Sequence, residues 1–262
     1  MKDELGDRMK MFYEARTKVK LPRKTYTIIR IDGKAFHTYT KGLNKPFDSK
    51  FTNDMDETAI YLCQNIQGAK FAFVQSDEIS ILLTDFEKQQ TDAWFDGNVQ
   101  KIVSVSASLA TAKFNELRPN KIALFDSRAF VIPAYMEVVN YFVWRQNDTV
   151  RNSLSMLARS LYSQKEINNK NIIELHELCF EKGFNWNDLE MKYKRGRMIV
   201  KVYHEKEGAT TRWISTIPPI FTQQKDYLYR LIPKIDYYND KDFLKMIESS
   251  YNVKIKTDEK SI

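Results

Sequence analysis

An α+β fold of ferredoxin-like order, βαββαβ, is what this 262-residue sequence predicts. Three observations carry the prediction. Short β-branched and apolar runs alternate with longer runs of helical period, in the order strand, helix, strand, strand, helix, strand. The second and third strand-like runs are separated only by Ser76-Asp77-Glu78, which makes them a hairpin. No linker rich in Pro, Gly or Ser divides the chain, so the remainder is expected to pack against this unit as one compact body.

The elements follow in order. A charged N-terminal segment reads as a helix. Residues 25–31 (TYTIIRI) are β-branched and apolar and stop at Asp32-Gly33. Residues 51–67 place Met55, Ala59, Leu62, Cys63 and Ile66 on one helical face, with Gly68 as a C-terminal stop. The hairpin strands are 70–75 (KFAFVQ) and 79–84 (ISILLT). Residues 99–116 partly alternate like a strand, but their length and lack of Gly or Pro favour a helix. The fourth strand is expected over 123–132 (ALFDSRAFVI), bent near Asp126-Ser127 and ended by Pro133. Residues 1–133 thus form the catalytic region, and 134–262 an appended helical and β-strand region. The latter should hold helices within 135–162 and 171–182, strands near 197–203 and 212–217, and a late helix around 241–251.

Hydrophobic residues are 43% and charged residues 29% of the chain, a soluble mixture that excludes wholesale disorder. Lys+Arg exceed Asp+Glu by 41 to 34, and the resulting charge of +7 suits a polyanionic partner. Cys63 and Cys179, each in a helix-like apolar run, read as buried reduced thiols rather than a disulfide framework. The N-terminus has no apolar core for a secretory signal. No stretch approaches the roughly 18 apolar residues of a membrane span. A cytoplasmic protein is expected.

The predicted topology has a chemical consequence. Strand one should lie between strands three and four, antiparallel to strand three, with neighbouring strands about 4.8 Å apart. Asp32 at the end of strand one and Asp77 in the hairpin turn should therefore converge. Two unpaired carboxylates repel and resist burial, and a hard divalent cation resolves the conflict. A pair of Mg²⁺ ions about 3.5–4 Å apart is the arrangement that serves phosphoryl transfer. Gly33, with its bare backbone, could add a carbonyl ligand. Taken alone, Asp-Gly after a strand is an ordinary turn and an acidic hairpin tip is usually solvated. Their joint occurrence at converging ends is what favours a site. Among the other candidates, His37 alone reads as an ordinary hydrogen-bonded side chain and Lys45 as a loop lysine. Trp144, beside Tyr141 and Val143, reads as core.

The motifs RIDGKAFHTYTKGLNKPFD (30–48), QSDEIS (75–80), FDSR (125–128), WRQND (144–148) and YKRG (193–196) occur in the order of a known family. Together they resemble the tRNA-His guanylyltransferases, over roughly residues 5 to 201. That resemblance implies a polymerase-type palm that extends the 5′ end of tRNA in the 3′–5′ direction. It implies Asp32, Gly33 and Asp77 as metal ligands for two Mg²⁺ ions, with Glu78 supporting the acidic site. It makes Lys34, Ala35, Phe36 and His37 the segment holding a nucleoside triphosphate tail, from ATP or GTP. It associates Lys45, Asp48 and Ser76 with adenylylation of a 5′-monophosphate. Arg128, Lys194 and Arg195 become phosphate or tRNA contacts, and a homo-oligomer, a tetramer, is implied. After WRQ, the eukaryotic members carry His-Ile-Asn-Asn, where this chain has Val150-Arg151-Asn152-Ser153. Only Asn152 matches, Arg151 is a candidate phosphate contact, and valine offers none of the hydrogen bonds of imidazole. The departure resembles the bacterial and archaeal relatives, which implies template-directed repair of truncated tRNA rather than addition of guanylate to tRNA-His. Two rivals remain distinct in chemistry. A diguanylate-type cyclase would carry a Gly-Gly-rich acidic hairpin, absent here. A ferredoxin-like RNA-binding module would expose aromatics on its central strands, and ISILLT has none.

Overall fold

The computed structural model of the chain describes residues 3–204 and 210–235. Its strands are β1 (Tyr26–Gly33), β2 (Ala69–Gln75), β3 (Glu78–Leu83), β4 (Phe125–Ile132), β5 (Arg197–His204) and β6 (Thr210–Thr216). Its α-helices are α1 (Glu4–Phe12), α2 (Phe36–Tyr39), α3 (Ser49–Asn65), α4 (Val99–Leu117) and α5 (Tyr135–Leu161). They continue with α6 (Gln164–Ile167), α7 (Ile172–Glu181), α8 (Met191–Arg195) and α9 (Asp226–Leu231). The late helix expected around 241–251 lies outside the described residues.

One sheet runs in the order β4-β1-β3-β2-β5-β6. Its first four strands have the ferredoxin-like order, with β1 antiparallel to both β3 and β4. The fold is the expected α+β palm. The strands beyond residue 133 are not a separate layer, because β5 pairs directly with the β2 edge. Asp56 of α3 secures this extension, accepting from Arg197 Nε at 2.7 Å and from Ser215 Oγ at 2.7 Å.

Alternation along β1 sends Ile29 and Ile31 to one face and Tyr26 and Ile28 to the other. The first pair joins Met55 and Leu62 of α3 and Phe114 of α4 in a core. The second joins Phe71, Phe142 of α5 and Phe221. Each such side chain contributes about 1.5–3 kcal/mol on burial. Side-chain caps fix where the long helices start: Asp48 accepts from Phe51 N at 2.7 Å, and Asn98 from Lys101 N at 3.1 Å. Gly68 serves the turn after α3 rather than the cap itself. Ile66 already leaves the helix in extended conformation, and Gly68 takes φ +82° with Thr84 O where a Cβ would stand.

Residues 99–117 are helical, and Ser106 at their centre is buried against Ser127 Oγ at 2.7 Å. No register shift interrupts the strand near Asp126-Ser127. β4 starts at Phe125 and pairs with β1 in unbroken register to Ile132. At the sheet edge the polar side chains need no bulge to reach solvent. Trp144 also departs from expectation: it is 46% exposed. The inward arc of α5 carries Val138, Tyr141, Phe142, Arg145, Gln146 and Thr149, and Trp144 falls outside it. Beyond the sheet, α5 continues and packs Leu154, Leu157 and Ala158 against Leu175 and Cys179 of α7. Cys63 and Cys179 are both free and buried. Among the described residues, no helix is long and apolar enough to cross a membrane.

Candidate active site

The register Asp32↔Glu78 and Gln75↔Glu78 brings the end of β1 beside the β2–β3 turn. That two-residue turn is Ser76-Asp77, with Ser76 in the left-handed region at φ 45°. Asp32 and Asp77 thereby meet electrostatically. Burial pushes the Asp77 carboxyl up to about 6, and the charge of Asp32 adds to the rise against a hydrogen bond from the Ser76 side chain. Burial raises Asp32 as well. Arg30 opposes that rise, Asp126 reinforces it from the next strand, and Arg128 and Arg145 oppose it again.

Glu78 differs from its neighbours. Its Oε2 receives Arg30 and Arg145, each at 2.8 Å. Burial pushes the Glu78 carboxyl up and the two guanidinium groups, Arg145 foremost, pull it back. Arg145 is 2% exposed and also reaches Asp148 Oδ2 at 3.1 Å. Among the described residues, no Lys or Arg nitrogen forms an ion pair with Asp32 or Asp77. Nor does any group of three or more His, Cys, Asp or Glu stand ready to hold a metal by itself. A carboxylate pair with no ion-pair partner, both members pushed up by burial, fits Mg²⁺, which commonly takes one or two carboxylates and completes its shell with water and phosphate. The Gly33 carbonyl lies next in the chain. The bare Cα of Gly33 has a packing reason too, since a Cβ there would stand 2.3 Å from the Phe36 ring.

From the carboxylates a cavity of about 630 Å³ extends between the sheet tip, the 43–48 loop and the far half of α5. Asp32, His37, Lys45, Asp48, Ser76, Asp77, Glu78 and Asn152 all line it. Phe36 borders it too, but its ring is buried in an aromatic cluster with Tyr39, Phe51, Phe114 and Phe125. Lys34 and Ala35 are exposed outside it, and Ala35 starts the short α2 in left-handed conformation at φ 56°. Asp48 does double duty as the α3 cap.

The proposed phosphate contacts are scattered. Arg128 lies on the edge strand near Asp126, and Arg151 is held by Asp148 Oδ1 at 2.9 Å. Lys194 donates to Asn187 O and lies over the Trp186 ring at 5.3 Å. Arg195, at the end of α8, does not line the cavity.

Sequence reasoning missed the arginines that organise the site. Arg30 and Arg145 stood in plain view inside RIDGK and WRQND, yet a lone arginine in a strand or helix gives no hint of a buried partner. It also missed Gln75, which accepts from Thr149 Oγ1, and the Phe47–Tyr193 stack that closes the cavity wall at 4.2 Å between ring centroids. Gln146 ties this region together, accepting from Phe221 N at 2.7 Å and donating to Pro219 O at 2.9 Å.

A palm sheet that sets paired carboxylates at the mouth of a cavity of this size is the working part of a nucleotidyltransferase. Comparison with known proteins narrows the class. Residues 6–133 match the family model described as tRNAHis guanylyltransferase. A bacterial tRNA(His) guanylyltransferase-like protein solved in complex with ATP is 45% identical, covers 88% of this chain and is covered completely, with a TM-score of 0.80. A structure of such a bacterial protein in complex with GTP is 46% identical at a TM-score of 0.75, covering 87% of this chain and 99% of its own. The tRNA(His) guanylyltransferase of Debaryomyces hansenii is 27% identical over 70% of this chain and 77% of its own length. This chain belongs to the tRNA(His) guanylyltransferase family.

Proposed function

We propose that this enzyme adds nucleotides in the 3′–5′ direction to the 5′ end of cytoplasmic tRNA, restoring truncated ends by pairing with the opposite strand. The observation that carries the reading is the Asp32–Asp77 pair, left without cationic partners at the mouth of the cavity. Support for repair over guanylate addition comes from Val150, which stands where the eukaryotic motif has histidine.

In the first stage the 5′-monophosphate of tRNA attacks the α-phosphorus of ATP, forming an adenylylated end and releasing pyrophosphate. In the second, the 3′-hydroxyl of an incoming nucleotide attacks the tRNA 5′-phosphorus and AMP leaves. The extended end then carries the triphosphate of the added nucleotide, and a 5′-triphosphorylated tRNA bypasses the first stage. When bound by Asp32, Asp77 and the Gly33 carbonyl, two Mg²⁺ ions supply positive charge that acidifies the attacking hydroxyl and neutralises the triphosphate. Around them the protein positions the reactants. Lys34, His37 and the backbone of Ala35 and Phe36 hold the triphosphate tail. Lys45, Asp48 and Ser76 orient ATP in the activation stage, with Lys45 and Asp48 on the loop that forms one cavity wall. Glu78 takes the ion-pair contacts of Arg30 and Arg145. Arg128, Arg151, Asn152, Lys194 and Arg195 face the tRNA, and template pairing selects the nucleotide.

The test is a tRNA lacking its first 5′ nucleotide, incubated with ATP, Mg²⁺ and each nucleoside triphosphate in turn. Only the complementary nucleotide should be added, and more efficiently than guanylate to intact tRNA-His. Asp77→Ala should abolish addition while the protein stays folded. An active Asp77→Ala enzyme, or equal use of the intact end, contradicts the reading.

A further inference from the structure

The WRQND motif opens on a residue that the chemistry above does not use. Trp144 is 46% exposed, whereas the neighbouring aromatics of the helix, Tyr141 and Phe142, are buried. It is also held in place. The guanidinium of Arg145 lies 4.4 Å from its ring centroid, and Tyr141 meets it edge-on at 5.8 Å. Both supports are themselves fixed: Arg145 by Glu78 and Asp148, and Tyr141 by Ser80 Oγ at 2.9 Å.

Its location is defined by the same contacts. The Tyr141 ring also packs against Phe130 of β4 at 5.8 Å, which puts Trp144 on the β4 side of α5. There the strand presents Asp126 and Arg128, register partners of Asp32 and Arg30 and both exposed. No residue of β4 lines the cavity, and Trp144 does not line it either. The two aspartates thus stand between a cavity on one side and an open surface on the other. That surface carries an oriented indole and an exposed arginine. Tethered to Glu78 through Arg145, the indole is one buried ion pair removed from the register partner of Asp32.

We propose that the exposed indole of Trp144 is the platform on which the terminal base pair of the RNA stacks, presenting the 5′ phosphate to Asp32 and Asp77 from the side opposite the nucleotide cavity. The inference rests on the proposed reading of the site and names where its RNA end docks. A rigid aromatic plate beside an arginine suits a base of any identity, since every base has a π-face. An enzyme whose sequence choice comes from template pairing needs such tolerance.

The experiment uses the full chain and a truncated tRNA whose 5′-terminal nucleotide is replaced by fluorescent 2-aminopurine. Binding to the wild type should quench the fluorophore by stacking. Trp144→Ala should remove the quench and weaken tRNA affinity about 5- to 150-fold, the range of a lost base–aromatic stack. Trp144→Phe should keep most of both, and KM for ATP should not change in either variant. Quenching that survives in Trp144→Ala overturns the proposal. So does an equal loss in Trp144→Phe and Trp144→Ala, which would mean that the indole merely props Arg145. Nucleotide addition by the wild type on the unlabelled truncated tRNA separates the two readings. No addition counts against the repair function, whereas normal addition and affinity in Trp144→Ala count against the platform alone.

Discussion

Asp32 and Glu78 face each other across the β1–β3 ladder, yet Arg30 and Arg145 both pair with Glu78 and neither with Asp32. The division keeps two carboxylates side by side with opposite duties. Glu78 is neutralised by protein and holds the site together. Asp32, with Asp77, is left for an external cation.

The first consequence concerns Arg145. It is buried between Glu78 and Asp148, and its Nε has no protein acceptor. Removing Arg145 takes one of two guanidinium partners from the buried Glu78, leaving Arg30, and the loss of the buried contacts costs up to about 3 kcal/mol. Arg145→Met should therefore lower Tm by several degrees in thermal denaturation, and adding Glu78→Gln should recover part of the loss, the remainder being the partner that Arg30 then loses. If the double variant is no more stable than the single one, Glu78 is not the charge that Arg145 compensates.

The second concerns pH and metal. The folded Asp77 carboxyl is raised from 3.8 to about 6, so the folded state binds the extra proton and stability falls as pH rises between those values. Below them the penalty is absent, and above them it is complete, up to about 3 kcal/mol. Asp77→Asn should stabilise the metal-free protein at pH 7.5 and leave it nearly unchanged at pH 3.5. Added Mn²⁺ should raise the Tm of the wild type but not of the variant. Equal stability of the two metal-free proteins at pH 7.5 would show that Asp77 bears no such penalty.

The third concerns Gly33. A Cβ there would stand 2.3 Å from the Phe36 ring, which is itself wedged among four aromatic side chains. Gly33→Ala should cost about 1–3 kcal/mol in chemical denaturation through overpacking. It should also reduce nucleotide addition, because the displaced ring carries the start of α2 with it. A fully stable Gly33→Ala protein would mean that Phe36 relaxes freely.

Much of this could be read from residues. The β1–β3 convergence followed from strand order and a three-residue gap, since the ferredoxin-like topology leaves Asp32 and Asp77 nowhere else to go. Local pattern also separated helix from strand in 99–116, where length and the lack of Gly or Pro outweighed the partial alternation. What stayed hidden depends on partners distant in sequence. Arg145 meets Glu78 across 67 positions, and Arg197 meets Asp56 across 141, distances at which one sequence carries no pairing signal. Trp144 was misread because hydrophobic neighbours on a helix do not reveal which side of the inward arc a residue takes. The addition of β5 and β6 to the palm sheet was equally invisible, as an edge strand's partner is set by tertiary packing.

The most direct test is manganese binding, measured by isothermal titration and by anomalous diffraction from crystals soaked with Mn²⁺ and ATP. Metal should bind between the Asp32 and Asp77 carboxylates in the wild type, and Asp32→Asn or Asp77→Asn should abolish it. Unchanged Mn²⁺ affinity in both variants, or an anomalous peak away from these two side chains, would contradict the account.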